Sequence, residues 1–327
     1  MRAGSNSPTT SPADAPFAVA TSGLTKRFGD RSVVTGLDLA IPTGAVCGLI
    51  GPNGAGKTTT IRMLLGLVRP TSGSGTVLGH ALNERAAYMA RVGALIESPS
   101  FYPTLSGRAN LKVLARLGGI DESQIFVVLE RVDLTDRAND AYRTYSLGMK
   151  QRLGIAAALL AQPSLLVLDE PGNGLDPAGI VEIRGLMKTL SDDGITILVS
   201  SHLLSEVEQV CDHLVMINNG RLAFQGHVDD LLSEQNVELL ARTEHPEDLA
   251  SLLTLVRATG HSARIGDDTL TVTAGVAWAG ELNRLAARAS ITLVHLSERR
   301  PTLEEAFFNM TGAATGDANL DHAQAPR

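Results

Sequence analysis

The stretch Gly51-Pro52-Asn53-Gly54-Ala55-Gly56-Lys57-Thr58-Thr59 constrains this chain more than any other. It fits the pattern G-x-x-x-x-G-K-[ST] at every fixed position, and its flanks supply the context that pattern needs. Ahead of it, Val46-Cys47-Gly48-Leu49-Ile50 reads as a short buried strand. Behind it, Thr59 to Leu67 puts apolar residues at helical spacing. Glycines without a Cβ let such a loop wrap phosphate oxygens and point its N–H groups inward. The helix N-terminus adds partial positive charge at the same place. Lys57 supplies a point charge to the outer phosphates, and the Thr58 hydroxyl is positioned to ligate Mg²⁺. Strand, loop and helix together predict a nucleoside-triphosphate site.

At 327 residues the chain has room for two domains. Its 28 Lys+Arg against 35 Asp+Glu give a formal net charge of -7, which is not the basic footprint of a nucleic-acid binder. Cys47 and Cys211, the two cysteines, lie far apart in apolar runs and read as small buried hydrophobes rather than a disulfide or a reactive thiol. No apolar stretch reaches the roughly eighteen residues of a membrane span. The N-terminal residues Met1–Pro16, rich in Ser, Thr, Pro and Ala, lack the apolar region of a signal peptide. A membrane role would need a second chain to supply the span.

Read in order, the chain predicts an α/β fold with a mostly parallel core. Residues 1–16 read as a disordered tail. Strand-like alternation starts at Phe17 and leads to Phe28 on a polar, turn-forming segment, where an aromatic ring either packs locally or stacks on a base. A strand at Thr76–Leu78 and another at Val92–Ile96 follow, the second running into Glu97. From Leu105 to about Leu160 the pattern is helical, an insert in the α/β core. Ser164-Leu165-Leu166-Val167-Leu168-Asp169-Glu170-Pro171 then gives a near-continuous apolar run ending in two carboxylates, as a parallel strand buried on both faces would. A helix over Pro177–Leu190, a strand over Ile195–Ser200, His202 and a helix over Leu203–Val210 complete the alternation. Lys57, Glu97, Asp169, Glu170 and His202 all fall at or just past strand ends, where ligands of such sheets sit. Residues 17–234 form this nucleotide-binding domain. Residues 235–312 restart as a small α+β domain of ferredoxin-like order, with a hairpin at Gly266-Asp267-Asp268, and 313–327 read as a polar tail. Trp278, the single tryptophan, reads as core rather than surface.

A phosphate loop alone leaves kinases, GTPases and ATPase motors open. Tyr145-Ser146-Leu147-Gly148-Met149-Lys150-Gln151-Arg152 is a variant of the Leu-Ser-Gly-Gly-Gln signature of ATP-binding cassette ATPases. Joined to Gly51–Thr59, Leu165–Glu170, Asn173-Gly174-Leu175-Asp176-Pro177 and His202 in that order, it resembles the cassette of ABC transporters from Phe17 to about Ser233. The resemblance implies a P-loop cassette with a mostly parallel core, an antiparallel β-subdomain and a helical subdomain. It implies ATP and Mg²⁺ as ligands. Gly51, Pro52, Asn53, Gly54, Ala55, Gly56, Lys57, Thr58 and Thr59 would cradle the phosphates, and Phe28 would stack on adenine. Thr58 and Asp169 would hold Mg²⁺. Glu170 would polarise the attacking water as general base, and His202 would touch the γ-phosphate. Ser146, Gly148 and Gln151 would clasp the ATP of an opposite cassette, and Asp176 would communicate across the pair. Without the resemblance, Ser146 reads as an ordinary helix cap.

Glu97 departs from the family pattern, which carries glutamine here. An ionised glutamate only accepts hydrogen bonds, so the change favours a metal ligand over a donor; a tolerated substitution is the other reading. Glu97 and the loop Phe101-Tyr102-Pro103-Thr104-Leu105-Ser106-Gly107 look like cassettes of bacteriocin and peptide-antibiotic immunity transporters. Arg300-Pro301-Thr302-Leu303-Glu304-Glu305-Ala306-Phe307 resembles the extension on drug- and antibiotic-export cassettes. The implied protein is the ATPase subunit of an exporter, at the cytoplasmic side of the cell membrane and peripheral to it. Its implied partners are a separate integral-membrane permease and a second cassette, with no nucleic acid. The competing reading is a soluble ABC ATPase acting on nucleic acid or ribosomes, which usually carries two cassettes or coiled-coil arms.

Overall fold

The computed structural model of the chain describes residues 16–97, 99–233, 238–299 and 302–311. The tails expected at 1–16 and 313–327, Pro16 excepted, lie outside the described residues, as do Ser98, Arg300 and Pro301. Along the chain come β1 (Phe17–Phe28), β2 (Arg31–Leu37), β3 (Ala40–Pro42), β4 (Val46–Ile50), α1 (Lys57–Leu64), β5 (Ser72–Val77), β6 (His80–Ala81), α2 (Arg85–Met89) and β7 (Val92–Leu95). The helical insert holds α3 (Gly107–Gly118), α4 (Ser123–Arg131), a 3-10 turn at Tyr142–Thr144 and α5 (Leu147–Leu159). Then follow β8 (Leu165–Asp169), α6 (Pro177–Asp192), β9 (Thr196–Ser201), α7 (Leu204–Val207), β10 (His213–Asn218), β11 (Arg221–His227) and α8 (Val228–Ser233). The remainder is β12 (Glu238–Thr243), α9 (Asp248–Ala258), β13 (Ser262–Gly266), β14 (Thr269–Thr273), α10 (Ala279–Arg288), β15 (Leu293–Arg299) and α11 (Leu303–Thr311).

Two compact units emerge, Met1–Val228 and Asp229–Arg327. The division falls at the start of α8, whereas the sequence places it at the far end of that helix.

In the first unit two sheets pack on one apolar core that includes Val19, Leu37, Ile61, Leu64, Val167 and Leu198. The antiparallel sheet runs β2-β1-β5-β6 with β3 beside β1. The other sheet runs β11-β10-β4-β9-β8-β7 and is parallel except at its β11 edge. Every residue of β4, β8 and β9 is buried, which is why their sequences are almost unbroken apolar runs. Asp169 pairs with Ser200 and Ile50 with Ser201, so the strands end level and project their following loops from one edge. β5 begins four residues earlier than the sequence suggests, because its Gly- and Ser-rich start pairs with β1, Ser72 opposite Thr25. Pairing overrides local propensity there. α7 is shorter than the helix expected over Leu203–Val210.

The second unit is a βαββαβ arrangement whose antiparallel sheet runs β13-β14-β12-β15. That is the ferredoxin-like order expected for it. Leu239, Ala241, Leu270 and Val272 alternate onto one sheet face, against Leu249, Leu252 and Val256 of α9 and Leu282 and Ala286 of α10. Asp267 and Asp268 both adopt positive φ, 48° and 54°, as a two-residue hairpin turn requires. Trp278 packs partly buried against this core and stacks on His261 with ring centroids 4.1 Å apart.

Candidate functional site

The loop after β4 folds around glycines that tolerate nothing larger. A Cβ on Gly51 would lie 2.2 Å from the Ile217 carbonyl oxygen, and one on Gly56 would lie 2.9 Å from that of Val33. Gly56, at φ 107°, precedes α1 with no side-chain cap, so the first N–H groups of the helix are left for a ligand. Lys57 leads the helix with its side chain 6% exposed. Its ammonium donates to the Gly51 carbonyl at 2.7 Å and lies 3.4 Å from Glu170 Oε1.

Four more side chains converge, Thr58 from α1 and the others from the neighbouring strand ends. The Thr58 hydroxyl donates to Asp169 Oδ2 at 2.9 Å. Ser200 donates to the other oxygen, Asp169 Oδ1, while its Oγ accepts the Glu170 N–H at 3.0 Å. His202 Nδ1 lies 2.6 Å from Glu170 Oε2. Glu170 thus holds one carboxylate oxygen on a lysine and the other on an imidazole. Its backbone adopts φ 51°, and Glu97, two residues past the end of β7, adopts φ 61°. Left-handed non-glycine residues cost energy and gather at functional sites.

The sequence-predicted residues do not all meet. Glu97 is brought to the same sheet edge, but its carboxylate is 68% exposed and ion-paired with Arg62, one turn after Thr58 on α1. Phe28 is half exposed on the β1–β2 hairpin, with the Lys26 ammonium 4.8 Å from its ring centroid. Ser146 caps α5 by accepting the Met149 N–H at 3.2 Å, and it is exposed together with Leu147. Asp176 caps α6 by accepting the Gly179 N–H at 3.0 Å. Gln151 differs from Ser146 in burial. It is 5% exposed, three residues after Gly148 on α5, whereas Ser146 and Leu147 are exposed. Cys47 and Cys211 are free and buried, and burial pushes both thiols well above the ordinary range.

Sequence reasoning missed Ser200 and Arg62. Ser200 was findable as a polar residue at the end of a strand otherwise apolar. Arg62 was findable from its i,i+4 relation to Thr58 once Glu97 was suspected. Tyr142 was also missed: its hydroxyl donates to the Pro99 carbonyl at 2.9 Å, and Pro99 also lies against Gly154 of α5. The loop of Glu97 is therefore held by the same subdomain that presents Ser146.

Residues 34–173 match the ABC transporter family. The bacitracin transport ATP-binding protein BcrA of Enterococcus faecalis is 37% identical over 301 residues, 90% of this chain and 97% of that protein. The chain belongs to the ABC transporter family. A second relative, the daunorubicin resistance ATP-binding protein DrrA3 of Streptomyces coeruleorubidus, is 34% identical over 305 residues, covering 90% of this chain and 96% of its own. Among solved structures, an ATP-binding subunit of an ABC transporter aligns with TM-score 0.60 and 30% identity, over 66% of this chain and 92% of its own. The nucleotide is accordingly ATP, and the activity is ATP hydrolysis coupled to transport. Among the described residues no helix is long and apolar enough to cross a membrane.

The Thr58–Asp169 pair offers Mg²⁺ a hydroxyl and a carboxylate, hard oxygen donors on the phosphate side of the site. Such a pair suits an ion that keeps several waters and takes its remaining ligands from phosphates.

Proposed function

We propose that this chain is the ATP-hydrolysing subunit of an exporter, working as one of two cassettes on a separately encoded membrane permease. The observation that carries the reading is the double engagement of Glu170, by Lys57 at 3.4 Å and by His202 at 2.6 Å. Phosphates entering the loop compete for Lys57, which is the residue best placed to receive them. Losing the lysine frees Glu170 to accept a proton from a water aimed at the γ-phosphate. His202, on the far side of the same carboxylate, is placed to follow the phosphate and orient that water. Mg²⁺, held by Thr58 and Asp169, would neutralise charge on the phosphates. Glu97, released from Arg62, would be a further ligand in reach of that region.

The start of α5, exposed at Ser146 and Leu147 with Gly148 next to them, supports a site completed by a second cassette, since an ATP held by one loop leaves its outer face open to such a surface. In this reading residues 17–234 form the cassette, 235–312 an accessory domain, and the protein sits peripherally at the cytoplasmic face of the membrane. The relatives are named for bacitracin transport and daunorubicin resistance. On that basis the cargo is an antimicrobial peptide, a drug or a similar amphipathic compound.

The test is co-purification from gently solubilised membranes of the host. A polytopic membrane protein recovered in stoichiometric amount is the expected result. Recovery of ribosomes, nucleic acid or soluble protein alone would overturn the reading. Glu170→Gln is expected to accumulate an ATP-bound dimer; rapid turnover by that variant would remove Glu170 as the base.

A further inference from the structure

Behind the Glu170–His202 couple lies a second carboxyl group that the mechanism above does not use. Glu206 stands on α7, one turn past His202, and reaches back toward the loop that follows Glu170. A Cβ on Gly172 would lie 3.2 Å from Glu206 Oε2 and 3.7 Å from Oε1. The carboxyl group therefore packs closely against Gly172, and a side chain there would make it shift by a few tenths of an ångström. Its Oε1 is buried with no hydrogen-bond partner. A cavity of about 20 Å³ beside it, lined by Pro171, Gly172, Arg184, Ser201 and Val207 among others, has room for a single water.

The groups facing Glu206 come from three directions. Ser201 and His202 face it from the end of β9, Glu170 and Gly172 from the loop after β8, and Arg184 from α6. Burial pushes the carboxyl above its ordinary range, and the Glu170 charge adds to that push. His202, Arg184 and the Ser201 hydroxyl pull the other way. Arg184 is itself engaged by Gln209, so it does not form a close pair with Glu206.

We propose that Glu206 is a positioning residue, a packing wedge between the Pro171–Gly172 turn and the His202 segment that holds Glu170 and His202 in register. The geometry that carries the proposal is the fit of the carboxyl against a glycine, in contact with the turn that continues directly from the base. Glu170 is already in a left-handed conformation, fixed from one side by Ser200 through its N–H. Glu206 supplies the support from the other side, two residues on. A displacement of about 1 Å at a catalytic carboxylate is enough to lower a rate on the order of a hundred-fold.

This inference rests on Glu170 acting as the base, and its test separates the two. The full chain is assayed over a range of ATP concentrations up to saturation as wild type, Glu206→Ala, Glu206→Gln, Gly172→Ala, the Gly172→Ala/Glu206→Ala double variant and Glu170→Gln. Hydrogen exchange of the segment 170–176 is followed without nucleotide. The expected result is a kcat about ten- to a hundred-fold lower for Glu206→Ala with KM for ATP unchanged. Glu206→Gln, which keeps the shape of the side chain, should restore most of the rate. Gly172→Ala should lose rate by displacing the carboxyl, and should cost nothing further once Glu206 is already Ala. Exchange in 170–176 should quicken in both single variants that disturb the wedge.

Wild-type kcat and exchange in Glu206→Ala overturn the proposal, and so do Gly172→Ala and Glu206→Ala losses that multiply. Should Glu206→Ala not fold, Gly172→Ala decides alone, and normal rate with normal exchange there overturns it. A dead Glu170→Gln beside wild-type-like Glu206 and Gly172 variants sinks only the wedge. An active Glu170→Gln sinks the assignment of the base, while the exchange measurement still reports on Glu206.

Discussion

Helices α1 and α5 both begin where the proposed function sets a phosphate, and they begin in opposite ways. α1 follows Gly56, which has φ 107° and no side chain to offer its first N–H groups. α5 follows Ser146, in an ordinary extended conformation, whose hydroxyl already satisfies the Met149 N–H. An uncapped helix start leaves donors in want of an acceptor, and a capped one does not. The first is therefore an anion site built into the chain, buried among Lys57, Asp169 and Glu170. The second is a stable helix end that can serve a ligand only when a partner brings one. That difference matches a division of labour in which one cassette binds ATP and its neighbour closes over it.

The largest effect expected from breaking the comparison is at Lys57. Lys57→Ala removes the buried charge that gathers phosphates and leaves Glu170 with His202 alone; hydrolysis should fall on the order of a thousand-fold. ATP binding measured by equilibrium dialysis should be lost with it, and a variant that still binds ATP normally would contradict the assignment. Next comes Gly56→Ala. A methyl there meets the Val33 carbonyl at 2.9 Å and forces a left-handed alanine, so stability should drop by about 3 kcal/mol in urea unfolding. An alanine tolerated at wild-type stability would mean that the loop is not held as tightly as its contacts imply.

Ser146 sharpens the comparison, because its two readings separate under substitution. Ser146→Ala loses the cap and should cost about 1 kcal/mol. Ser146→Asp keeps a good cap and so should keep stability, but it sets a negative charge where an opposite cassette's phosphate must come. ATP-dependent dimerisation of Ser146→Asp in the Glu170→Gln background, read by size-exclusion chromatography, should fail. If the aspartate variant dimerises normally, Ser146 is only a cap.

Much of this was legible in the sequence, for reasons that differ by element. β4, β8 and β9 were readable because strands buried on both faces leave unbroken apolar runs, and polar residues at their ends stand out. Thr58, Asp169, Glu170 and His202 followed, since sheet topology gathers strand ends whatever lies between them. What was not legible needed three dimensions. The burial of Gln151 on α5 cannot be read from its place in the motif. The pairing of Glu97 with Arg62 is invisible without knowing that the turn after β7 passes α1. Glu206 had no signal at all: one glutamate on a short, polar helix is ordinary until Gly172 is seen beneath it. The ferredoxin-like order of the second unit was readable because Gly266-Asp267-Asp268 fixes one hairpin and the apolar alternation fixes its faces.

The smallest effect is expected at Gly148, and it sets the two helix starts against each other most cleanly. Gly148 is the second residue of α5, and the nearest atom to a Cβ there is Leu175 Cδ2 at 3.9 Å, ordinary contact distance. Alanine fits the folded cassette and restricts the unfolded chain more than glycine does, so Gly148→Ala should be neutral or stabilise by about 0.5 kcal/mol. The same exchange at Gly56 should destabilise. Fold therefore gives α5 no reason to carry glycine at this position, and the reason must lie in what approaches from outside. In the Glu170→Gln background, Gly148→Ala should weaken ATP-dependent dimerisation several-fold while the melting temperature holds or rises. A drop in melting temperature would return Gly148 to a structural role, and unimpaired dimerisation would show that the approaching surface does not come close enough for a methyl group to matter.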